Sequence, residues 1–264
     1  MRFVTTDHVA LHYSDTGEKD KKVILGIPGI GGTSQFWHKM ISLFNPIYRI
    51  ILLDPRNQGQ SERTDKGQRI ARHAADVEEL LASLNLHDVI GIGNSMGAAN
   101  LWSYLDLYGK GRLCAMVDLD QSPKMIADTD WQYGFRDLSW MNYPDYLKRP
   151  FGKAFYAHIA DEMFEAAKEE QEVFPYDARD NYKCLIDHAE QDWRDILKEM
   201  PVPMLVLAGK NSPFFDYHFT DAVKEINPDI ETKVIDNCGH LIQAEQPEAM
   251  HDAVMRFLHK KKLV

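Results

Sequence analysis

One serine stands out by its surroundings. Gly93-Asn94-Ser95-Met96-Gly97 lies between an apolar run, Val89–Ile92, and a helix-like segment over about 96–107. Strand, G-x-S-x-G and helix in that order set the serine hydroxyl on a sharp turn above a sheet. The two glycines let strand and helix approach closely. A helix N-terminus just beneath favours negative charge that develops there. A serine hydroxyl is a poor nucleophile at neutral pH and needs a positioned base, most often histidine. His240, which follows Gly239 on a loop beyond the apolar run Thr232–Ile235, is the candidate base. The chemistry open to such a pair is nucleophilic catalysis through a covalent intermediate.

The rest of the chain has to hold these two groups together across 145 positions. Short apolar runs at Val23–Ile27, Tyr48–Leu53, Val89–Ile92, Leu113–Leu119, Met204–Leu207 and Thr232–Ile235 alternate with helix-like stretches near 35–44, 73–84, 96–107, 217–226 and 247–260. Runs this apolar suit strands covered on both faces. The alternation predicts an α/β fold with a mostly parallel sheet flanked by helices. Val77, Leu80, Leu81 and Leu84 mark one helical face. Val9–Tyr13 alternates and is expected to form an antiparallel edge strand. Residues 121–200 break the rhythm: they show no convincing strand, lean to helix, and hold half of the aromatic side chains. They are expected to form a helical cap with a small core of its own and an inner face lining an apolar pocket. The flanking stretches 1–120 and 201–264 would then form the main domain.

Composition narrows the field. The chain has 264 residues, a net charge of -10 and 44% hydrophobic residues, enough for one large core. The acidic balance argues against a nucleic-acid partner. Lys260-Lys261-Lys262, the one basic run, reads as a solvated tail. No apolar stretch is long enough to span a membrane, and residues 1–22 carry four acidic side chains where a signal peptide would be apolar. Cys114, Cys184 and Cys238 are few and far apart, which suits a reducing compartment, the cytoplasm, and offers no paired metal ligands. His188-Ala189-Glu190 begins like a zinc deaminase motif, but no P-C-x-x-C follows.

Four segments, taken in order, resemble the α/β-hydrolase superfamily over nearly the whole chain. They are Gly26-Ile27-Pro28-Gly29-Ile30-Gly31-Gly32, Asp54-Pro55-Arg56-Asn57-Gln58-Gly59-Gln60-Ser61, the Ser95 pentapeptide, and Gly239-His240 with Glu245 and Pro247. The resemblance implies a serine esterase-like enzyme without a cofactor, with backbone N–H groups of Ile30 and Met96 forming the oxyanion hole. It also implies an acid between serine and histidine in the chain. Here the sequence departs from the common pattern, because Gly209-Lys210-Asn211-Ser212 places a serine where the acid usually stands. Two substitutes remain: Asp120 at the end of Leu113–Leu119, which is preferred, and Asp216 beyond Pro213-Phe214-Phe215. Asp118 alternates with Asp120 but lies deeper in the strand. Arg56 and Asn57 read as structural.

The expected partner is a small-molecule substrate, apolar or aromatic, with Trp131, Tyr133, Phe135, Trp140 and Phe214 as candidate pocket lining and Phe215 beside them. A homodimer stays open. The leading expectation is cleavage of a small carboxylic ester or related acyl bond. C–C bond hydrolysis, cofactor-free dioxygenation, perhydrolase or haloperoxidase activity, and a non-catalytic ligand receptor are the alternatives. Epoxide hydrolase and dehalogenase chemistry is disfavoured because those enzymes attack with aspartate. Gly29-Ile30-Gly31 followed by Asp54 imitates a dinucleotide fingerprint, yet its third glycine is Ser34, and that reading leaves Ser95 and His240 unexplained.

Overall fold

The structure is a computed structural model that describes residues 1–264. Eight strands form one sheet: β1 (Arg2–Val4), β2 (Ala10–Asp15), β3 (Val23–Ile27), β4 (Arg49–Leu53), β5 (Val89–Asn94), β6 (Leu113–Leu119), β7 (Met204–Gly209) and β8 (Glu231–Ile235). Nine helices accompany them: α1 (His38–Phe44), α2 (Ile70–Ser83), α3 (Met96–Tyr108), α4 (Asp161–Val173), α5 (Ala178–Glu190), α6 (Arg194–Lys198), α7 (Phe219–Ile226), α8 (Ile242–Glu245) and α9 (Pro247–Lys260). None of the helices is long and apolar enough to cross a membrane.

Every residue of β3, β5, β6 and β7 is buried, as befits strands covered on both faces. The sheet order is β1-β2-β4-β3-β5-β6-β7-β8. From β4 to β8 all neighbours run parallel, while β2 is antiparallel to β4 and β1 to β2. Side chains alternate between two layers: Val23, Leu25 and Ile27 face α2 and α3, whereas Ile24, Ile50 and Leu52 face α1 and α9.

The edge differs from the sequence expectation. Ala10–Asp15 is the second strand in, and the edge is β1, where Phe3 pairs with Leu11. Three largely exposed residues carry too little periodic signal to mark a strand in advance.

Segment 121–200 holds α4, α5, α6 and a short 3-10 turn at Asp145–Lys148, with isolated bridges in place of strands. Ile159 and Met163 form a small separate cluster with Ala244 of α8, while most of the segment's apolar side chains pack elsewhere. Met125, Ile126, Phe135, Leu185, Trp193 and Leu197 join the same apolar cluster as the α2 and α3 face. A layer of three helices has too little volume to bury its apolar faces alone, so it borrows the main domain's.

Register gathers the chemistry. Ile27 aligns with Gly93, Asn94 with Leu119, Leu119 with Leu207 and Gly209 with Ile235. The carboxyl ends of β3, β5, β6, β7 and β8 therefore end level, and the segments after them converge on one rim, where open α/β sheets bind ligands.

Candidate active site

Ser95 sits between β5 and α3 with φ 54 and ψ -126, a conformation that costs a non-glycine residue strain of order 1–3 kcal/mol. Neighbouring glycines make the bend sterically possible. A Cβ on Gly97 would lie 2.1 Å from the Ile27 carbonyl oxygen, and one on Gly93 would lie 2.3 Å from the Ala98 nitrogen. The Ser95 amide donates to the Leu119 carbonyl at 3.1 Å, which ties the bend to β6. The side chain is partly exposed.

The next segment along the rim supplies the carboxylate. Asp120 is fully buried and also has positive φ, 59. Its Oδ2 lies 2.6 Å from Nδ1 of His240 and accepts a hydrogen bond from Ser212 Oγ at 2.6 Å. Its Oδ1 accepts from the Gly209 amide at 2.9 Å. With the carboxylate as acceptor, the proton of His240 resides on Nδ1, and Nε2 presents its lone pair. Gly209 is needed here for space as well: a Cβ would stand 1.9 Å from the Gly239 carbonyl oxygen.

Asp216 is elsewhere. It pairs with His218 at 2.6 Å on the exposed start of α7 and makes no contact with His240. Asp118 is fully buried, accepts from the Gln121 amide at 3.0 Å, and leaves Oδ2 without a partner. Burial, reinforced by the negative charge of Asp120, holds its carboxyl well above the usual range.

His240 is clamped by groups whose structural part was not read from the sequence. Asn94 Nδ2 donates to the His240 carbonyl at 3.0 Å and to that of Leu119 at 2.9 Å, bridging nucleophile and base loops. The His240 amide donates to Ala154 of the helical segment at 2.9 Å. Glu245 accepts from four backbone amides, those of Gly239, Leu241, Tyr156 and Ala157, at 2.8–3.1 Å. The spacing of His240 and Glu245 thus serves loop anchoring; Glu245 makes no hydrogen bond to the imidazole.

The structure brings His240 and Asp120 together and leaves Ser95 Oγ and His240 Nε2 without hydrogen bonds, to each other or to any other group of the chain. In unliganded sites such bonds commonly form only when substrate seats. Gly29 faces the serine, since a Cβ there would come 2.8 Å from Ser95 Cβ and 3.4 Å from Oγ. The adjacent Ile30 amide has no partner in the chain. Met96 opens α3, so its amide has no acceptor within that helix.

The aromatic candidates divide. Phe214 packs edge-on against the His240 ring at 4.7 Å, Phe135 stacks on Phe214 at 5.3 Å, and Phe215 lies 6.0 Å from His240. Trp131 and Tyr133 instead line an open depression of about 1090 Å³ with Asp128, Asp192 and Arg194, which Ser95 and His240 do not border. Trp131 gives its Nε1–H to Ser122, and Trp140 is 54% exposed against Tyr143. A count of aromatics says how many are available, not which way each points.

Arg56 is fully buried and paired with Asp76 and Asp7. Asn57 closes its own turn onto Thr64. The three thiols are free and buried, and no three His, Cys, Asp or Glu side chains converge where a metal ion could sit.

Residues 22–247 match the family described as alpha/beta hydrolase fold. A non-heme chloroperoxidase of Streptomyces lividans is 23% identical over 96% of this chain and 98% of its own length. A 3-oxoadipate enol-lactonase of Acinetobacter baylyi is 23% identical over 95% and 94%. Among solved structures, an esterase of Exiguobacterium antarcticum superposes with a TM-score of 0.83 at 18% identity, covering 98% of this chain and 99% of that one.

Proposed function

This chain belongs to the α/β-hydrolase family, and from that premise we propose that it is a serine hydrolase cleaving a small carboxylic ester or related acyl bond through an acyl-enzyme. The observation that carries the reading is the 2.6 Å contact between Asp120 and His240 Nδ1, which leaves Nε2 free to act as the base for Ser95, held on its strained bend at the same rim of the sheet. The lactonase and esterase among its relatives are named for ester substrates, in line with it.

In the proposed cycle Ser95 Oγ attacks the carbonyl carbon while its proton passes to Nε2 of His240. The tetrahedral oxyanion is met by the Ile30 and Met96 amides, donors of a kind worth about 2.7–4 kcal/mol each. Nε2–H then protonates the leaving alcohol oxygen, and the C–O bond breaks to give acyl-Ser95. Water, deprotonated by the same Nε2, attacks the acyl carbon; the carboxylic acid leaves and Ser95 recovers its proton. Asp120 fixes the tautomer and stabilises the imidazolium throughout.

Segment 121–200 acts as the cap, with Phe135 and, from the main domain, Phe214 forming an apolar wall for the substrate. Three buried thiols without a disulfide suit a cytoplasmic location. Assay with p-nitrophenyl acetate and butyrate tests the reading. Turnover by the protein, reduced at least about 10³-fold in both Ser95→Ala and His240→Ala, is expected. Turnover that survives Ser95→Ala, or tight ligand binding without turnover, contradicts it and favours a receptor or another chemistry.

A further inference from the structure

We propose that Gln58 is a positioning residue for the oxyanion turn. Its carboxamide ties Gly31 of that turn to Asn181 of α5, so that the seating of the helical segment sets the Ile30 donor. The inference rests on Ser95 being the nucleophile and Ile30 an oxyanion donor.

The turn is Gly29–Gly32. The Gly32 amide donates to the Gly29 carbonyl at 3.0 Å and Gly31 has φ 70, as in a type II turn with glycine at its third position. The Gly29 carbonyl is thus engaged, and the Ile30 N–H, on the opposite edge of the same trans peptide, is left free. The next peptide, Ile30–Gly31, is the one whose reversal converts type II into type I, changing ψ of Ile30 by about 150° and φ of Gly31 by about 170°. Its N–H is held: Gly31 donates to Gln58 Oε1 at 2.6 Å.

Gln58 passes the connection on. Its Nε2 donates to Asn181 Oδ1, and Asn181 Nδ2 donates to the Asp177 carbonyl at 2.8 Å. Both side chains are buried. The chain of bonds starts at an amide, which can only donate, and ends at a carbonyl, which can only accept. Each carboxamide therefore has a single orientation. Other contacts reach the same turn from the helical segment. Thr33, next after the turn, gives its hydroxyl to Glu170 of α4, and both are buried. The Tyr176 ring, in the link between α4 and α5, would meet a Cβ on Gly31 at 3.7–3.8 Å. Arg63 secures the backbone around Gln58, donating to the Gly59 and Ser61 carbonyls at 2.8 Å each and to that of Phe174 in the link at 3.0 Å. The donor turn is thus held between main domain and helical segment, and Gln58 bonds to both. Stabilisation of an oxyanion depends on donors already placed where the charge develops, so a loosened turn costs rate more than ground-state binding.

Gln58→Met keeps the length of the side chain and removes both bonds. With p-nitrophenyl acetate, kcat per serine labelled by a phosphonate at completion is expected to fall about 10- to 100-fold, with KM within about twofold. Counting labelled serines removes any fall caused only by unfolded protein. Asn181→Leu leaves the Gly31 bond and cuts the link to α5. It should lower kcat about 3- to 10-fold, and the double variant should stay within about twofold of Gln58→Met, because the two side chains act as one chain. An unchanged kcat in either single variant, a rise in KM alone, or losses that multiply in the double variant overturns the inference. Should Gln58→Met fail to fold, Asn181→Leu decides by the same kcat criterion. Ser95→Ala assayed alongside separates the two claims: turnover lost there but intact in Gln58→Met removes only the positioning role. Turnover by Ser95→Ala would remove the nucleophile on which it depends.

Discussion

Ser212 donates a hydrogen bond at 2.6 Å to Oδ2 of Asp120, the same oxygen that meets Nδ1 of His240 at 2.6 Å. Ser212, at the position where the resemblance led to an acid being expected, thus holds the carboxylate that β6 supplies to His240.

That relationship predicts a transplant. Asp120→Asn should lower kcat/KM by about 10³–10⁴-fold, because the amide favours the wrong imidazole tautomer. Adding Ser212→Asp to that variant returns a carboxylate to within reach of Nδ1 and should recover at least about tenfold. Steady-state kinetics on both variants checks it; full activity in Asp120→Asn would exclude the assigned acid.

Buried imidazoles predict sensitivity to mild acid. Desolvation lowers His73 and His188 to about 3 each, with Arg56 and the partner histidine adding to the shift of His73. An unfolded histidine titrates near 6.5. Between pH 6.5 and 3 the unfolded chain binds protons that the folded chain refuses, so stability falls as pH falls, by up to about 1.4 kcal/mol per pH unit for each ring. Urea midpoints at pH 7, 6 and 5 should decline in step. The His188→Gln variant should show a shallower decline whatever its stability at pH 7.

Asp118 predicts the opposite dependence. Its carboxyl is raised in the folded state by burial and by Asp120. Above the unfolded pKa near 3.9 the unfolded chain has released a proton that the folded chain keeps, so this group costs stability as pH rises towards its folded value. Asp118→Asn preserves the acceptor used by the Gln121 amide and removes that cost. Its melting temperature should exceed the parent's at pH 7, with the difference shrinking towards zero at pH 4.

How far the sequence carried is clearest in particular residues. β3 and β6 coincide with the apolar runs Val23–Ile27 and Leu113–Leu119, because strands buried on both faces are written as uninterrupted hydrophobic stretches. The bend at Ser95 was legible from its two glycines, since a Cβ at either would strike backbone. For the partner of His240 the sequence offered two carboxylates, with Asp120 preferred over Asp216, and the contact itself appears only once the sheet registers and β6 and β7 end level. Arg63 carries no local signature, and Gln58, Asn94 and Glu245, though they stand in quoted motifs, do not reveal there what they bond. Their partners lie tens of residues away or, for Glu245, in the backbone of two separate segments. Trp131 and Trp140 show the limit of composition: both are aromatic and both lie in the segment expected to cover the site, yet neither packs against His240.

The most direct test of the central claim is covalent capture. The protein is incubated with a serine-directed phosphonate, and peptide mass spectrometry locates the adduct. The account predicts stoichiometric modification of Ser95 at neutral pH, abolished in Ser95→Ala and slowed at least about 10²-fold in His240→Ala. An adduct on a different residue, or labelling of Ser95 that proceeds equally fast without His240, would contradict it.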